Sequence, residues 1–261
     1  SSLNQQIRAF FQSRQVLEVE TPLLSHAIGT DPNLHPFTAL YQPFPHAASE
    51  GMYLQTSPEF AMKRLLACGS GPIFQLCKAF RNGDRGRRHN PEFTMLEWYR
   101  LDLSFTRLMD EVEALVMLVL GIQACTRLNY RQLFKHYLDI DPHLAKVGLL
   151  KELAAGHMEL SNTDISRDTW LELLYSHVIE PQLQEPVFIY DYPASQAALA
   201  RITFDATGTA VAKRFELVIR GMEIANGYDE LVDAVQQQQR FAADQQQRKV
   251  QGLPQFPADT R

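Results

Sequence analysis

Apolar residues recur at helical spacing at the start of the chain, where Leu3, Ile7, Phe10 and Phe11 predict an amphipathic helix. Val16 to Thr21 predicts a short strand, closed by Pro22. From Gly29 to Gly51, Pro, His and Ala break any period, which predicts loop with short extended pieces. Ser57-Pro58-Glu59 then predicts a helix start, with Ser57 as N-cap, Pro58 at the first helical position and Glu59 in the first turn; Gly69 closes that helix. Ile73 to Phe80 and Glu92 to Arg100 predict the strands of an antiparallel hairpin, joined by the unusually long polar segment Arg81 to Asn90. Met109 to Leu120 predicts a helix with acidic residues near its start, and residues 126 to 185 read as mostly helical. Val187 to Tyr192 predicts a strand. Ala212 to Ile219 and Met222 to Asn226 predict a strand pair that bends at Arg220-Gly221. Asn226-Gly227 is a turn signal, and a long polar helix follows from about Asp229, with Gln236 to Gln239 as a solvated face.

Composition bounds the function. The chain has 261 residues, 45% of them hydrophobic and 21% charged, which is enough to bury a sizeable core. The net charge of −5 argues against a surface built mainly to grip nucleic acid. The longest apolar run, Ala114 to Leu120, falls far short of the roughly 20 residues of a membrane span, and no secretory signal opens the chain. Three cysteines, Cys68, Cys77 and Cys125, form no CxxC pair, so a reducing cytoplasm is the expected compartment. The chain opens on Ser1 and stops at Arg261 just after Gly252-Leu253-Pro254, which reads as a piece of a longer protein.

The strongest local chemistry lies in Arg81 to Asn90. Four arginines in eight residues, with two glycines, make a flexible cationic arm in an acidic protein. Guanidinium forks match phosphate oxygens, so a polyphosphate is one natural partner; a solvated surface loop is the other reading. On the next strand, Phe93, Met95, Glu97 and Tyr99 share a face by alternation. A carboxylate among such groups needs a cation, either a substrate ammonium or a protein Arg or Lys. Glu216 and Glu223 flank the Arg220-Gly221 bend and can approach across the strands, where Mg2+ with phosphate oxygens would relieve their repulsion; two exposed edge glutamates are the plain alternative. Glu230 either points into the same space or charges the first turn of the next helix, and Glu59 has a similar helix-dipole reading. No nucleophile–base pair stands out, Ser195 is not in a nucleophile elbow, and neither a Walker A sequence nor GxGxxG is present.

Together these segments resemble the catalytic domain of class II aminoacyl-tRNA synthetases of the lysyl subclass. Leu17-Glu18-Val19-Glu20-Thr21-Pro22 is similar to the first motif of that class. Phe80-Arg81-Asn82, Arg87, His89-Asn90-Pro91-Glu92-Phe93-Thr94 and Glu97-Trp98-Tyr99 are similar to the second. Residues 221–231 are similar to the lysyl signature that precedes the third. The Leu96-Glu97-Trp98-Tyr99-Arg100 ending, the stretch 192–200 and Gln237-Gln238-Gln239-Arg240-Phe241 further resemble a family of short paralogues, the elongation factor P β-lysine ligases, which have the synthetase core without the anticodon-binding domain.

The resemblance implies an α/β (α+β) fold, an antiparallel sheet flanked by helices, spanning residues 1–261 and dimeric through the first motif. It implies that Arg81 bridges the substrate carboxylate and the α-phosphate of ATP. Asn82, Gly83, His89, Asn90, Phe93, Glu223 and Ile224 would also contact ATP, with Phe93 stacking on adenine. Glu216 and Glu223 would carry Mg2+. Ser57, Pro58, Glu59 and Glu97 would surround one substrate ammonium, Asn226 would help with the carboxylate, and Glu230 and Tyr99 would hold the distal ammonium. The implied reaction activates lysine or (R)-β-lysine as an acyl-adenylate and transfers it to a lysine of elongation factor P, with no tRNA and no membrane involved. The rival readings are the core of a lysyl-tRNA synthetase and a non-catalytic synthetase-like ligand-binding protein. Two departures accompany the resemblance. Gly83 stands where the family usually has Glu, with Asp84 next, and the third motif should lie just beyond Arg261, so residues 1–261 alone are expected to have little or no activity.

Overall fold

The computed structural model describes residues 1–101, 103–159 and 163–256. The chain divides into two compact units, Ser1–Asp102 with Val235–Arg261, and Leu103–Ala234.

In the first unit, α1 (Ser2–Gln12) is capped by the Ser1 side chain and buries Ile7, Phe10 and Phe11, as the apolar spacing predicts. Phe11 stacks on Phe74 at 4.5 Å and meets Trp98 at 5.3 Å, which pins the helix to the sheet. β1 (Leu17–Glu18) is much shorter than the predicted Val16–Thr21 strand. β2 (Leu24–Ser25), β3 (Thr38–Tyr41) and β4 (Glu50–Leu54) form a small antiparallel sheet in the order β2-β4-β3. β3 is an extended piece of the kind expected between Gly29 and Gly51, whereas β4 starts at the end of that stretch and runs past it. In α2 (Glu59–Ala67), Pro58 rather than Ser57 holds the N-cap position, and the Ser57 hydroxyl accepts from the Glu59 N–H at 3.1 Å from one residue further out. Gly69 ends the helix as predicted: its N–H reaches Leu66 O at 2.9 Å while Ser70 N–H reaches Leu65 O at 3.1 Å.

β5 (Ile73–Phe80) and β6 (Glu92–Tyr99) form the predicted antiparallel hairpin, in a sheet of order β1-β5-β6 whose β1–β5 pair is parallel. Phe74 and Trp98 oppose each other and point at α1. Their neighbours Gln75 and Glu97, also opposed, lie on the other face.

The second unit opens with α3 (Phe105–Leu120), capped by Ser104. It begins earlier than predicted, so Asp110, Glu111 and Glu113 lie within the helix rather than at its dipole end. Glu113 instead accepts from Cys125 N–H and from Arg127, both at 2.6 Å. β7 (Thr126–Asn129), α4 (Tyr130–Leu138), α5 (Val147–Ala155) and α6 (Arg167–Leu174) follow, then a π-turn over Tyr175–Ile179. Of the stretch expected to be helical, residues 160–162 lie outside the described residues. β8 (Val187–Pro193), β9 (Ile202–Phe204), β10 (Ala210–Val218) and β11 (Glu223–Tyr228) complete a five-stranded sheet in the order β11-β10-β8-β7, with β9 on β10. Only β7–β8 is parallel within it. Its core gathers Leu133, Phe134, Leu150, Trp170, Leu171 and Ile189.

Two expectations fail here. Asn226-Gly227 is no turn; β11 runs straight through it. Gly227 pairs with Phe215, whose ring Cζ would lie 2.3 Å from a Cβ at position 227, so the glycine makes room for an aromatic ring inside the sheet. The polar helix also starts later than Asp229. Arg201 N–H bonds Asp229 O at 2.7 Å, Ala200 bridges Glu230, and Leu231 N–H bonds Leu199 O at 2.8 Å. This pairing holds 229–231 extended, and α7 (Ala234–Val250) begins after it. Glu230 therefore does not charge the first helical turn. Gln236, Gln238 and Gln239 are exposed on α7, as expected of a solvated face. All of that helix after Ala234 belongs to the first unit: Asp244 accepts from Thr30 Oγ1 at 2.8 Å, and buried Arg248 donates to Asp31 O at 2.7 Å. No helix among the described residues is long and apolar enough to cross a membrane.

Candidate active site

The candidate residues fall into two clusters, one in each unit. In the first unit the β5–β6 hairpin carries most of them. Glu97 accepts from Ser57 Oγ at 2.7 Å and from Tyr99 Oη at 2.9 Å. Burial pushes its carboxyl up to about 7; nearby Glu59 pushes the same way, while the two hydroxyls and Lys63 pull it back. Glu59 is held by Lys63 Nζ at 2.6 Å, one helical turn on, and that ammonium also lies 6.0 Å from the Tyr99 ring centroid. A protein cation thus sits beside Glu59. The two hydroxyls are the ligands of Glu97. Pro58 joins Ser57 to Glu59 by fixing the chain at the helix entrance. The sequence hid the Ser57–Glu97 bond, which spans 40 positions. The Glu59–Lys63 pair was legible as an i,i+4 spacing.

Arg81 leaves β5 with its guanidinium 5.2 Å from the Phe93 ring centroid, and its Nε is buried with no hydrogen-bond partner. An unmet guanidinium donor on an aromatic platform is what an anionic, planar ligand would complete. The loop backbone is fixed at its root by Arg81 N–H to Pro91 O at 2.9 Å and by Asn82 N–H to His35 O at 2.7 Å. Gly83 has φ +92°, a region costly for any residue with a side chain. Asn82, His89 and Asn90 are exposed on this loop, with Arg85, Arg87 and Arg88, and Asp84 is half-buried. Cys77, whose thiol burial pushes up to about 11, offers no thiolate.

In the second unit the β10–β11 hairpin bends at Arg220-Gly221, where Ile219 N–H and Met222 O meet at 2.9 Å. The register pairs Glu216 with Asn226 and Val218 with Glu223, so the two glutamates are not cross-strand partners. Glu216 is buried; it accepts from Tyr192 Oη at 2.7 Å and from Arg214. Burial works against the Arg214 charge, but Glu216, Tyr228, Tyr192 and Glu223 outweigh it and hold the guanidinium charged. Burial and the Glu216 charge push Tyr192 well above the usual phenol range, so it donates to Glu216 as a neutral hydroxyl. Sequence reasoning missed Arg214 and Tyr192, although Arg214 stands two residues before Glu216 on one strand face. Glu223 is exposed and accepts from Asn226 Nδ2 at 3.2 Å; Ile224 is exposed beside it. Glu230 is half-buried in its bridge to Ala200.

Magnesium is commonly held by one or two carboxylates plus phosphate oxygens and water. Glu223 lies exposed to solvent, and Glu216, with one bond to each oxygen, keeps further lone pairs. The pair fits, although among the described residues no group of three or more His, Cys, Asp or Glu could hold a metal ion.

Known proteins match this chain in sequence. Residues 1–256 match the family described as tRNA synthetases class II (D, K and N). The chain is 50% identical over 259 residues to a protein of Salmonella paratyphi B named elongation factor P--(R)-beta-lysine ligase, covering 97% of this chain and 79% of that relative. Proteins of the same name from Salmonella schwarzengrund and Salmonella choleraesuis match at the same 50% identity and the same 97% and 79% coverage. A hairpin bearing Arg81, Phe93 and Glu97, a second bearing Glu216 and Glu223, and a family match that runs through both place this chain among the class II tRNA synthetases of the D, K and N type.

Proposed function

We propose that the protein is an ATP-dependent ligase that activates (R)-β-lysine, or lysine, as an acyl-adenylate and transfers it to a lysine side chain of elongation factor P. The observation that carries this reading is the 50% identity over 97% of the chain to proteins named for that reaction. The buried Glu97 carboxyl, held by two hydroxyls beside the Lys63-paired Glu59, and the unmet Arg81 donor support it.

In this reading all of residues 1–261 serve as one catalytic domain. A carboxylate oxygen of the amino acid attacks the α-phosphorus of ATP. The bond from that phosphorus to the β-phosphate bridge breaks, and pyrophosphate leaves. Arg81 steadies carboxylate and phosphate together, and the work is alignment and charge neutralisation rather than nucleophilic catalysis by a side chain. Asn82, Gly83, His89, Asn90, Phe93 and Ile224 line the nucleotide, with adenine stacked on Phe93. Glu216 and Glu223 would hold Mg2+, which when bound would neutralise phosphate charge. Ser57, Pro58, Glu59 and Glu97 receive one ammonium, Asn226 the carboxylate end, and Tyr99 and Glu230 the distal ammonium. The neutral ε-amine of the acceptor lysine then attacks the acyl carbon; an amide forms, and AMP and a proton depart. In this reading the protein works in the cytoplasm as a homodimer through the first motif, as the family resemblance implies.

The test is ATP–pyrophosphate exchange on the full-length protein with (R)-β-lysine and α-lysine in parallel, followed by transfer to elongation factor P or to tRNA(Lys). Exchange with (R)-β-lysine and transfer to elongation factor P is the expected result. Preference for α-lysine with charging of tRNA would convert the reading to a lysyl-tRNA synthetase. Binding without exchange would convert it to a non-catalytic protein.

A further inference from the structure

Gln75 is a polar residue buried in the middle of β5, at 1% exposure. Its Oε1 accepts from Thr21 Oγ1 at 3.0 Å, and Thr21 is buried too, at 7%. Its Nε2 is buried with no hydrogen-bond partner. Buried amide donors are rarely left unmet, because each forfeits its bonds to water.

Sheet order says where that donor lies. β5 runs between β1 and β6, and Thr21 belongs to the chain that continues β1. The oxygen end of the carboxamide is therefore taken up on the β1 side, which leaves the nitrogen end on the β6 side. The residue directly opposite Gln75 on β6, on the same face, is Glu97. Directly opposed side chains on one sheet face have Cβ atoms about 5 Å apart, within reach of two long polar side chains. The reverse amide orientation would set an oxygen against the carboxylate, acceptor facing acceptor. Glu97 has accepted two hydroxyls and keeps lone pairs for a third donor.

We propose that Thr21 and Gln75 form a positioning relay for Glu97, in which Thr21 fixes the carboxamide so that Gln75 donates to the Glu97 carboxylate when a substrate ammonium occupies the pocket. The relay rests on the reading of Glu97 as an ammonium receptor. It extends that reading from the pocket wall to Thr21, in the segment that follows β1. Gln75 and Thr21 are positioning residues; both act through Glu97.

The test is calorimetric binding of (R)-β-lysine and α-lysine to the full-length protein and to Gln75→Met, Thr21→Val and the double variant, with KM for ATP measured alongside. Met keeps the length of Gln without its donor, and Val keeps the shape of Thr without its hydroxyl. Each single variant is expected to bind the amino acid about tenfold more weakly, as for loss of one hydrogen bond to a charged group, with KM for ATP unchanged. The double variant is expected to be no weaker than Gln75→Met, since Thr21 acts only through Gln75. Should Gln75→Met fail to fold, the near-isosteric Thr21→Val carries the same expectation. Wild-type affinity in the variants, additive losses, or an equal loss for ATP and amino acid would overturn the relay while leaving the proposed function standing. A wild-type protein that binds neither amino acid would overturn both.

Discussion

The ring of Phe215 on β10 occupies the space in which Gly227, its cross-strand partner on β11, would carry a side chain. The same ring meets Phe188 edge-on at 5.6 Å, so it cannot retreat freely into the sheet. Gly227→Ala is expected to destabilise the protein by about 1–3 kcal/mol, the usual cost of overpacking. Thermal unfolding should show the loss, and Phe215→Leu in the same chain should recover part of it. An alanine variant as stable as the parent would mean that the ring moves at no cost.

Arg214 is the direct cationic partner of Glu216, which is only 7% exposed. Arg214→Leu strands a buried carboxylate and is expected to cost about 3 kcal/mol in urea unfolding. Replacing both residues by Leu should cost less than Arg214→Leu alone, because the uncompensated charge has gone. If the double variant is the less stable one, the pair is a net source of stability rather than a mutual cancellation.

Glu97 gives the protein a pH signature. Its folded carboxyl titrates near 7 instead of 4.5, so the folded chain holds more protons than the unfolded chain between those values. The contribution of Glu97 to stability is thus full below about pH 4.5 and is lost as pH rises through about 7. Glu97→Gln should flatten that part of the stability profile. A bound ammonium favours the ionised form, so amino-acid binding at pH 6.5 should release protons, measurable by calorimetry in buffers of different ionisation enthalpy. Glu97→Gln should abolish the release.

Arg81→Ala should lower ATP–pyrophosphate exchange by about two to three orders of magnitude, the scale seen when one transition-state donor is removed. The thermal midpoint should hardly move, since the Arg81–Phe93 contact is worth only about 0.5–1 kcal/mol. Arg81→Lys keeps the charge but loses the fork, and little recovery of exchange is expected from it.

The local part of this architecture was legible in the sequence. Period and punctuation found α1, the β5–β6 hairpin and the bend of β10–β11, because each depends on neighbours within a few positions. Readings that depended on distant partners failed. Asn226-Gly227 has turn chemistry, yet a ring twelve residues away on the adjoining strand keeps it extended. The start of α7 was displaced by pairing with residues 199–201. In the site, alternation put Glu97 on a face with Tyr99, but the Ser57 hydroxyl comes from 40 positions away. Glu216 and Glu223 flank one bend, yet the register sets Asn226 and Val218 opposite them.

The first unit is discontinuous, and this has a consequence for synthesis on the ribosome. Its early residues emerge first, but Thr30 and Asp31 wait for Asp244 and Arg248, which are made only after the whole of Leu103–Ala234. The inserted unit, whose sheet and core are contiguous in sequence, can fold while the chain is still growing. The nascent segment that carries Glu97 and Arg81 therefore stays unfinished until α7 has been made, and a chain stalled before α7 would lack the clamp on the 30–34 segment.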